Sequence, residues 1–132
     1  MRISKETAAY HDIIWCAYDN DGRIIVANSN EGNLPEFAAE NKERTQQLAV
    51  NLCGLNAIDR QRKPEIDYDL LASKGFYCFV NDDPYDGSIY RRCAKPQVPR
   101  FLDSLDEQTK QLLSLQKLPI DADTCERFFV NE

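Results

Sequence analysis

The sequence has no long apolar run and very few glycines. Its longest apolar stretch lies around residues 13–18, far short of the ~20 residues that a membrane-spanning helix needs. The five glycines form neither a GxGxxG nor a GxxxxGK[ST] motif, which argues against the common phosphate-binding loops. The N-terminal residues are polar and show no signal-peptide pattern. We therefore expect a cytoplasmic protein without a membrane partner.

Paired cysteines and a basic charge balance are also missing. The five cysteines are widely spaced, with no CxxC or CxC pair, so the sequence predicts neither a zinc site nor a thioredoxin-like motif. Free thiols of this kind are typical of reduced intracellular proteins. The net charge is −6. Because this charge repels nucleic acid and anionic lipid, neither is expected as a partner.

Length and composition predict a single domain over residues 1–132. The chain has 132 residues, of which 42% are hydrophobic and 29% charged, close to the average of globular proteins. A domain of this size buries roughly two-thirds of the surface of its unfolded chain. Residues 1–10 are predicted to form a flexible arm or a short helix. Residues 119–132 are predicted to dock on the domain, because the tail carries large apolar side chains.

Hydrophobic periodicity predicts four strands and three helices. The strongest local signal is the DNDG turn at residues 19–22, which predicts a β-hairpin between two apolar runs. Asn33 is the predicted N-cap of a long amphipathic helix that ends at Gly54. Ser104 and Glu107 form a capping box before the last helix. The predicted strands cover 12–18, 23–28, 76–81 and 88–94, and the predicted helices 34–54, 66–74 and 105–117.

These elements predict an α+β fold. We expect a two-layer sandwich in which an antiparallel sheet of about four strands carries helices mainly on one face. The order is β-hairpin, long helix, short helix, β-hairpin, helix. In outline this order resembles that of profilin-like, roadblock/longin-like and small-molecule sensor domains. No motif is shared residue by residue, so the resemblance assigns neither a site residue nor a function.

One candidate for chemistry is a thiol nucleophile. His11, the only histidine, is a candidate base for Cys16, or across the sheet for Cys78 or Cys93. Along a straight strand, His11 and Cys16 lie roughly 16 Å apart. Packing in the core accounts for these cysteines more simply. We therefore predict no catalytic residue, and the lack of catalytic motifs weighs against an enzyme.

A second candidate is a metal site built from carboxylates on two acidic turns. These carboxylates would gather around a hard cation only if both turns lay at one sheet edge. Aspartates also favour turns for local hydrogen-bonding reasons. We therefore predict neither a metal nor a cofactor. The carboxylates in question belong to Asp19, Asp21, Asp82, Asp83 and Asp86.

Aromatic residues concentrate in the predicted strands. By alternation, Phe76 and Cys78 share one sheet face, while Tyr77 and Phe79 share the other. One face exposes aromatic side chains unless the helix over 105–117 or the C-terminal tail covers it, and exposed aromatic patches are typical of binding sites. The residues predicted to bind a partner or a ligand are Trp15, Tyr77, Phe79, Tyr90, Arg91 and Arg92.

The sequence favours a non-enzymatic protein-interaction or regulatory module. A homodimer or an adaptor would use the aromatic sheet face or an edge strand, and roughly 800 Å² per partner would suffice. The alternative is a small-molecule sensor whose pocket lies between the sheet and the 34–54 helix, where Tyr90, Arg91 or Arg92 fixes a polar ligand. A thiol-dependent enzyme is the third hypothesis.

Overall fold

The computed structural model describes residues 1–56, 58 and 67–131. The helices are α1 (Lys5–Tyr10), α2 (Glu36–Ala39), α3 (Lys42–Cys53), α4 (Asp67–Ser73) and α5 (Glu107–Leu113). The strands are β1 (Ile14–Tyr18), β2 (Ile24–Asn28), β3 (Tyr77–Val80), β4 (Ile89–Ala94) and β5 (Arg127–Phe129). The mixed α+β class predicted from the sequence is confirmed.

The five strands form one curled sheet in the order β1-β2-β3-β4-β5. Neighbouring strands are antiparallel except β2 and β3, which run parallel with Ile25 opposite Tyr77. The predicted antiparallel sheet of about four strands is therefore correct only in part. The parallel pair arises because the connection through α3 and α4 returns the chain to the end of the sheet where β2 begins. The fifth strand comes from the tail.

The β1–β2 hairpin forms at the predicted turn. Gly22 has a φ of 84°, in the left-handed region that glycine adopts without strain. The fully buried Asp19 carboxylate accepts hydrogen bonds from the backbone N–H groups of Asp21 at 2.9 Å and Arg23 at 2.8 Å. Its other oxygen accepts from the N–H of Ala122 at 2.8 Å. The turn is therefore attached to the C-terminal segment.

The predicted helix over 34–54 is divided into two helices, α2 and α3. The division lies at Asn41, whose side chain accepts a hydrogen bond from the N–H of Arg44 at 3.0 Å. Such a cap satisfies a free N–H at a helix start, so a new helix begins within a continuous apolar periodicity. Gly54 follows the last residue of α3, as the sequence indicates. Ile66, the predicted start of the next helix, lies outside the described residues.

The last helix also begins later than predicted. Its N-cap is Asp106, whose carboxylate accepts a hydrogen bond from the N–H of Thr109 at 3.0 Å. Ser104, the cap predicted from the sequence, ends a short 3-10 turn, and its hydroxyl donates to the carbonyl of Phe101 at 2.7 Å. Ser104 and Asp106 are both residue types that cap helices, and the helix begins after Asp106.

Helices cover one face of the sheet. α3 and α5 pack on β1, and α4 packs on β3 and β4. The packed side chains fill the space between the sheet and α3, which is where a ligand pocket was expected from the sequence. The buried residues of this layer are Cys16, Ile24, Val26, Leu48, Leu52, Phe76 and Leu113.

The opposite face of the sheet carries the aromatic side chains. Because the sheet is curled, Trp15 on β1 reaches Phe128 on β5, and their ring centroids lie 6.1 Å apart. Tyr90 stacks on Phe128 at 5.1 Å. This face is covered by α2 and by irregular chain, so the predicted two-layer arrangement is only approximate. The covering residues are Leu34, Phe37, Ala38, Leu118, Ile120 and Ala122.

The N-terminal residues dock on the rest of the domain. The N–H of Ile3 donates to the carbonyl of Ala39 at 2.8 Å, and the Ile3 side chain is buried. The Arg2 guanidinium donates to both carboxylate oxygens of Glu36, at 2.5 and 2.7 Å. Of the two alternatives predicted for residues 1–10, the short helix is therefore the one that the structure contains.

Candidate functional site

Four of the six residues predicted to bind a partner lie in the core. Trp15, Phe79 and Tyr90 are fully buried, and Tyr77 is 2% exposed. The Trp15 Nε1–H donates to Tyr90 Oη at 3.2 Å, and the Tyr90 hydroxyl donates to the carbonyl of Asn33 at 2.5 Å. The aromatic face is therefore an interior surface, because the segments on either side of it fold over the curled sheet.

Two of these tyrosines are held as hydrogen-bonded neutral phenols. Burial raises the pKa of Tyr90. Burial, followed by the hydrogen bond of 3.1 Å to the Asp123 carboxylate, raises the pKa of Tyr77 to about 12. A phenol with a raised pKa remains a donor at neutral pH. Both hydroxyls therefore attach the sheet to the chain that covers it.

Arg92 on β4 also attaches the sheet to the chain that covers the aromatic face. Its Nη1 donates to the carbonyls of Ala122 at 2.8 Å and Asp123 at 2.7 Å. Lys95, at the end of this strand, forms an ion pair of 3.0 Å with Asp123. Arg92 was predicted as a ligand-binding residue, yet its guanidinium is engaged in holding the segment that covers the aromatic core.

Arg91 points to the other side of the sheet, where β4 and β5 form an exposed surface. Arg91 lies directly opposite Arg127, and Ile89 lies opposite Phe129. We call these four residues the β5 surface. Phe129 is 60% exposed, and both arginines are exposed. A surface depression of about 400 Å³ is lined by these two arginines together with Arg92 and Glu126. Both an apolar and a basic group are therefore available to a partner here.

The backbone of β5 has one side available for pairing. Two backbone hydrogen bonds flank β5. The Arg92 N–H on β4 donates to the carbonyl of Glu126, and the Val130 N–H donates to the carbonyl of Ser88, just before β4. Since bonding directions alternate along an antiparallel strand, the N–H and C=O groups between them point alternately away from β4. The outward groups belong to Arg127 and Phe129. The Arg127 carbonyl accepts from Cys125 Sγ at 3.1 Å.

The two acidic turns do not form a common site. Because β2 and β3 are parallel, the turn before β2 and the loop after β3 lie at opposite ends of the sheet. Asp19 and Asp21 instead bind the Arg23 guanidinium, at 3.2 and 2.9 Å. Among the residues that the structure describes, no group of three or more histidine, cysteine or acidic side chains is placed to hold a metal ion.

The cysteine and histidine side chains do not form an activated thiol pair. His11 Nδ1 lies 2.9 Å from the carbonyl of Thr7, at the end of α1. Cys16 is fully buried in the layer beneath the helices, and burial raises the pKa of its thiol. A catalytic thiol needs the opposite change, since the thiolate is the nucleophile. The geometry therefore gives no support to the thiol-dependent enzyme hypothesis.

We predict that Cys93 reacts slowly with iodoacetamide at neutral pH, although its residue is exposed. Burial of the sulfur, with the nearby Asp82 and Asp69 carboxylates, raises the pKa of this thiol to about 11. The alkylation rate should therefore rise about tenfold per pH unit above neutrality, because the thiolate fraction does. Peptide mass mapping after timed alkylation measures this rate. A rate that levels off at the pH of an ordinary thiol, about 8.5, would contradict it.

Comparison with known proteins assigns no family to the chain. No protein-family model matches it, and no curated protein or solved structure matches it. Among the described residues, no helix is long and apolar enough to cross a membrane. A function must therefore be argued from the geometry of the chain itself.

Proposed function

We propose that the chain is a non-enzymatic protein-interaction module, which binds an acidic, extended segment of another protein at the β5 surface. The observation that carries the proposal is the exposed pair of arginines, Arg91 and Arg127, directly opposite each other beside the exposed ring of Phe129. Arg127 and Phe129 lie on β5, the edge strand of the sheet, and Arg91 lies on the neighbouring strand β4. An edge strand was one of the two kinds of interface expected from the sequence.

Without a bound partner, the arginine pair Arg91 and Arg127 destabilises the folded sheet. Like charges directly opposite each other on neighbouring strands destabilise a sheet. Arg91 has a partly exposed partner in Asp82 at 3.3 Å, whereas Arg127 makes no ion pair with any residue that the structure describes. A carboxylate from a partner would relieve this repulsion. Arg127 therefore presents a positive charge at this edge of the sheet, although the chain as a whole carries −6.

The edge of β5 favours an extended partner. Its outward backbone groups can pair with an added strand, a mode in which main-chain bonds supply affinity and alternate side chains supply specificity. Side chains two residues apart point to the same face of a strand. The partner strand would therefore place a carboxylate beside Arg127 and an apolar side chain beside Phe129, two residues apart.

Charge favours an acidic partner over a second copy of this chain. If β5 paired with β5 of another molecule, four arginines of the same sign would share one sheet face. The resulting repulsion opposes self-association at low ionic strength. An acidic strand brings the complementary charge instead, which also accelerates the encounter.

The test is an NMR titration of ¹⁵N-labelled protein with a capped peptide in which every second residue is threonine and the residues between are alternately glutamate and valine, so that glutamate and valine share one strand face. We expect amide shifts at Arg127, Phe129 and their β4 neighbours. Arg127→Glu should weaken binding of this peptide about tenfold or more, because like-charge contacts at an interface are costly. The same variant should gain affinity for the corresponding peptide in which lysine replaces glutamate.

Lys117→Glu is the matched control. It makes the same change of charge on an exposed residue that pairs with β1, at the opposite edge of the sheet, and should leave binding unchanged. Equal binding of the glutamate and lysine peptides to the unmodified protein would contradict the proposal, as would shifts confined to other surfaces. Concentration-dependent shifts at the same edge without any peptide would indicate a homodimer instead.

A further inference from the structure

A cavity of about 390 Å³ lies between α1 and the chain from residue 31 to residue 39, and Asn131, two residues after the end of β5, also lines it. Its volume is in the range of small-molecule sites. Its apolar lining consists of side chains that belong to three different parts of the chain. These apolar residues are Ile3, Ala8, Ala9, Leu34 and Ala39.

Direct bonds hold the walls of this cavity together. The backbone hydrogen bond from the N–H of Ile3 to the carbonyl of Ala39, 2.8 Å long, joins the N-terminal wall to the α2 wall. The bidentate ion pair of Arg2 and Glu36 joins the same two walls. The N–H of Glu31 donates to the carbonyl of His11 at 3.2 Å, just after α1. The cavity therefore exists without a ligand, which lowers the cost of binding one.

Two charged side chains of opposite sign that line the cavity have no partner among the residues that the structure describes. Lys5 lies on α1, and Glu31 lies on the loop after β2. Neither side chain makes an ion pair or a hydrogen bond with any residue that the structure describes, in contrast to the paired Arg2 and Glu36 beside them. The two unpaired groups can therefore bind a ligand that carries both charges.

The backbone fixes the position of Glu31. Asn30 and Glu31 have φ values of 44° and 68°, a left-handed conformation that non-glycine residues rarely adopt. The loop is held there by close packing at Gly32, where a Cβ atom would overlap the amide of buried Asn81 and lie 2.8 Å from the carbonyl oxygen of Gly87. Strained conformations of this kind concentrate at ligand sites.

We infer that this cavity binds a small zwitterion, an α-amino acid with an apolar side chain. Lys5 binds its carboxylate, Glu31 binds its ammonium group, and the side chain contacts the apolar lining. Each charge of the ligand meets one unpaired charge of the protein. None of the four residues of the β5 surface lines this cavity, so the chain would combine ligand binding with protein interaction.

Calorimetric titration of the full chain with leucine and two analogues tests the inference. Leucinamide lacks the carboxylate, and N-acetylleucine lacks the ammonium group. We expect leucine to bind about tenfold or more tightly than either analogue, since hydrogen bonds between charged groups are the stronger ones. Failure of leucine to bind, or equal binding of all three compounds, would overturn the inference.

Two variants assign each charge to its residue. In Lys5→Gln, leucine and leucinamide should bind equally, because the carboxylate has lost its partner. In Glu31→Gln, leucine and N-acetylleucine should bind equally for the corresponding reason. Glu6→Gln is the matched control on α1, since it does not line the cavity. Loss of discrimination in the control, or its persistence in both variants, would contradict the assignment.

Discussion

Replacing Trp15 by alanine is expected to lower the free energy of unfolding by about 3–5 kcal/mol, the usual cost of removing a large buried aromatic side chain. Trp15 is fully buried. Its ring makes edge contacts with Phe37, Tyr90 and Phe128, at centroid distances of 5.8, 5.4 and 6.1 Å. These partners come from three parts of the chain, so the cavity that alanine leaves cannot collapse easily.

Urea denaturation followed by circular dichroism measures this loss, since the variant removes the only tryptophan and with it the fluorescence signal. Trp15→Phe should cost less, because it keeps most of the ring and loses mainly the N–H bond to Tyr90. Tyr10→Ala is a surface control, as Tyr10 is 74% exposed, and should change stability by no more than about 0.5 kcal/mol. Equal losses in Trp15→Ala and Tyr10→Ala would contradict the proposed core.

The second large effect is expected from Asp19→Ala. This variant should lower the free energy of unfolding by about 3–5 kcal/mol, the usual loss when one partner of a buried ion pair is removed. The Asp19 carboxylate is fully buried. It accepts three backbone N–H bonds and one from the Arg23 guanidinium. Alanine leaves the three backbone N–H groups without this acceptor, and buried donors without partners are costly.

Asp21→Ala provides the control, because the Asp21 carboxylate binds the same guanidinium at 2.9 Å but is 60% exposed. Its loss should cost no more than about 1 kcal/mol, the range for surface ion pairs. Asp19→Asn should fall between the two, since the amide retains one acceptor oxygen. Thermal unfolding of the three variants gives the order, and a smaller loss in Asp19→Ala than in Asp21→Ala would disprove the role of the buried carboxylate.

Features that depend on neighbours in the sequence were predictable. The DNDG turn gives the β1–β2 hairpin, and alternation correctly separates Phe76 from Tyr77 and Phe79, which lie in different core layers. The parallel pairing of β2 with β3 was missed, because it depends on how distant helices pack and leaves no local pattern. β5 was missed because three residues are too few to show alternation.

The candidate sites were predictable only in part. The sequence singled out Arg91 and Arg92 together, but successive residues of a strand point to opposite faces. Arg92 therefore holds the covering chain, while Arg91 belongs to the exposed surface. Its counterpart Arg127 was not predicted, since the register of β4 and β5 depends on tertiary packing. Lys5 and Glu31 come together only through the docking of α1.

Residues 116–130 supply the chain that pairs at both ends of the strand order, beside β1 and beside β4. On one side, Tyr18 N–H donates to the carbonyl of Gln116 at 3.1 Å, and the Gln116 side chain reaches the carbonyl of Cys16, 100 residues away. On the other side, β5 pairs with β4. During synthesis these contacts cannot form until residues 116–130 have left the ribosome. Until then the nascent sheet has unpaired strands on both sides, the state in which neighbouring chains join most readily. Synthesis of residues 116–130 therefore pairs the outer backbone of both β1 and β4.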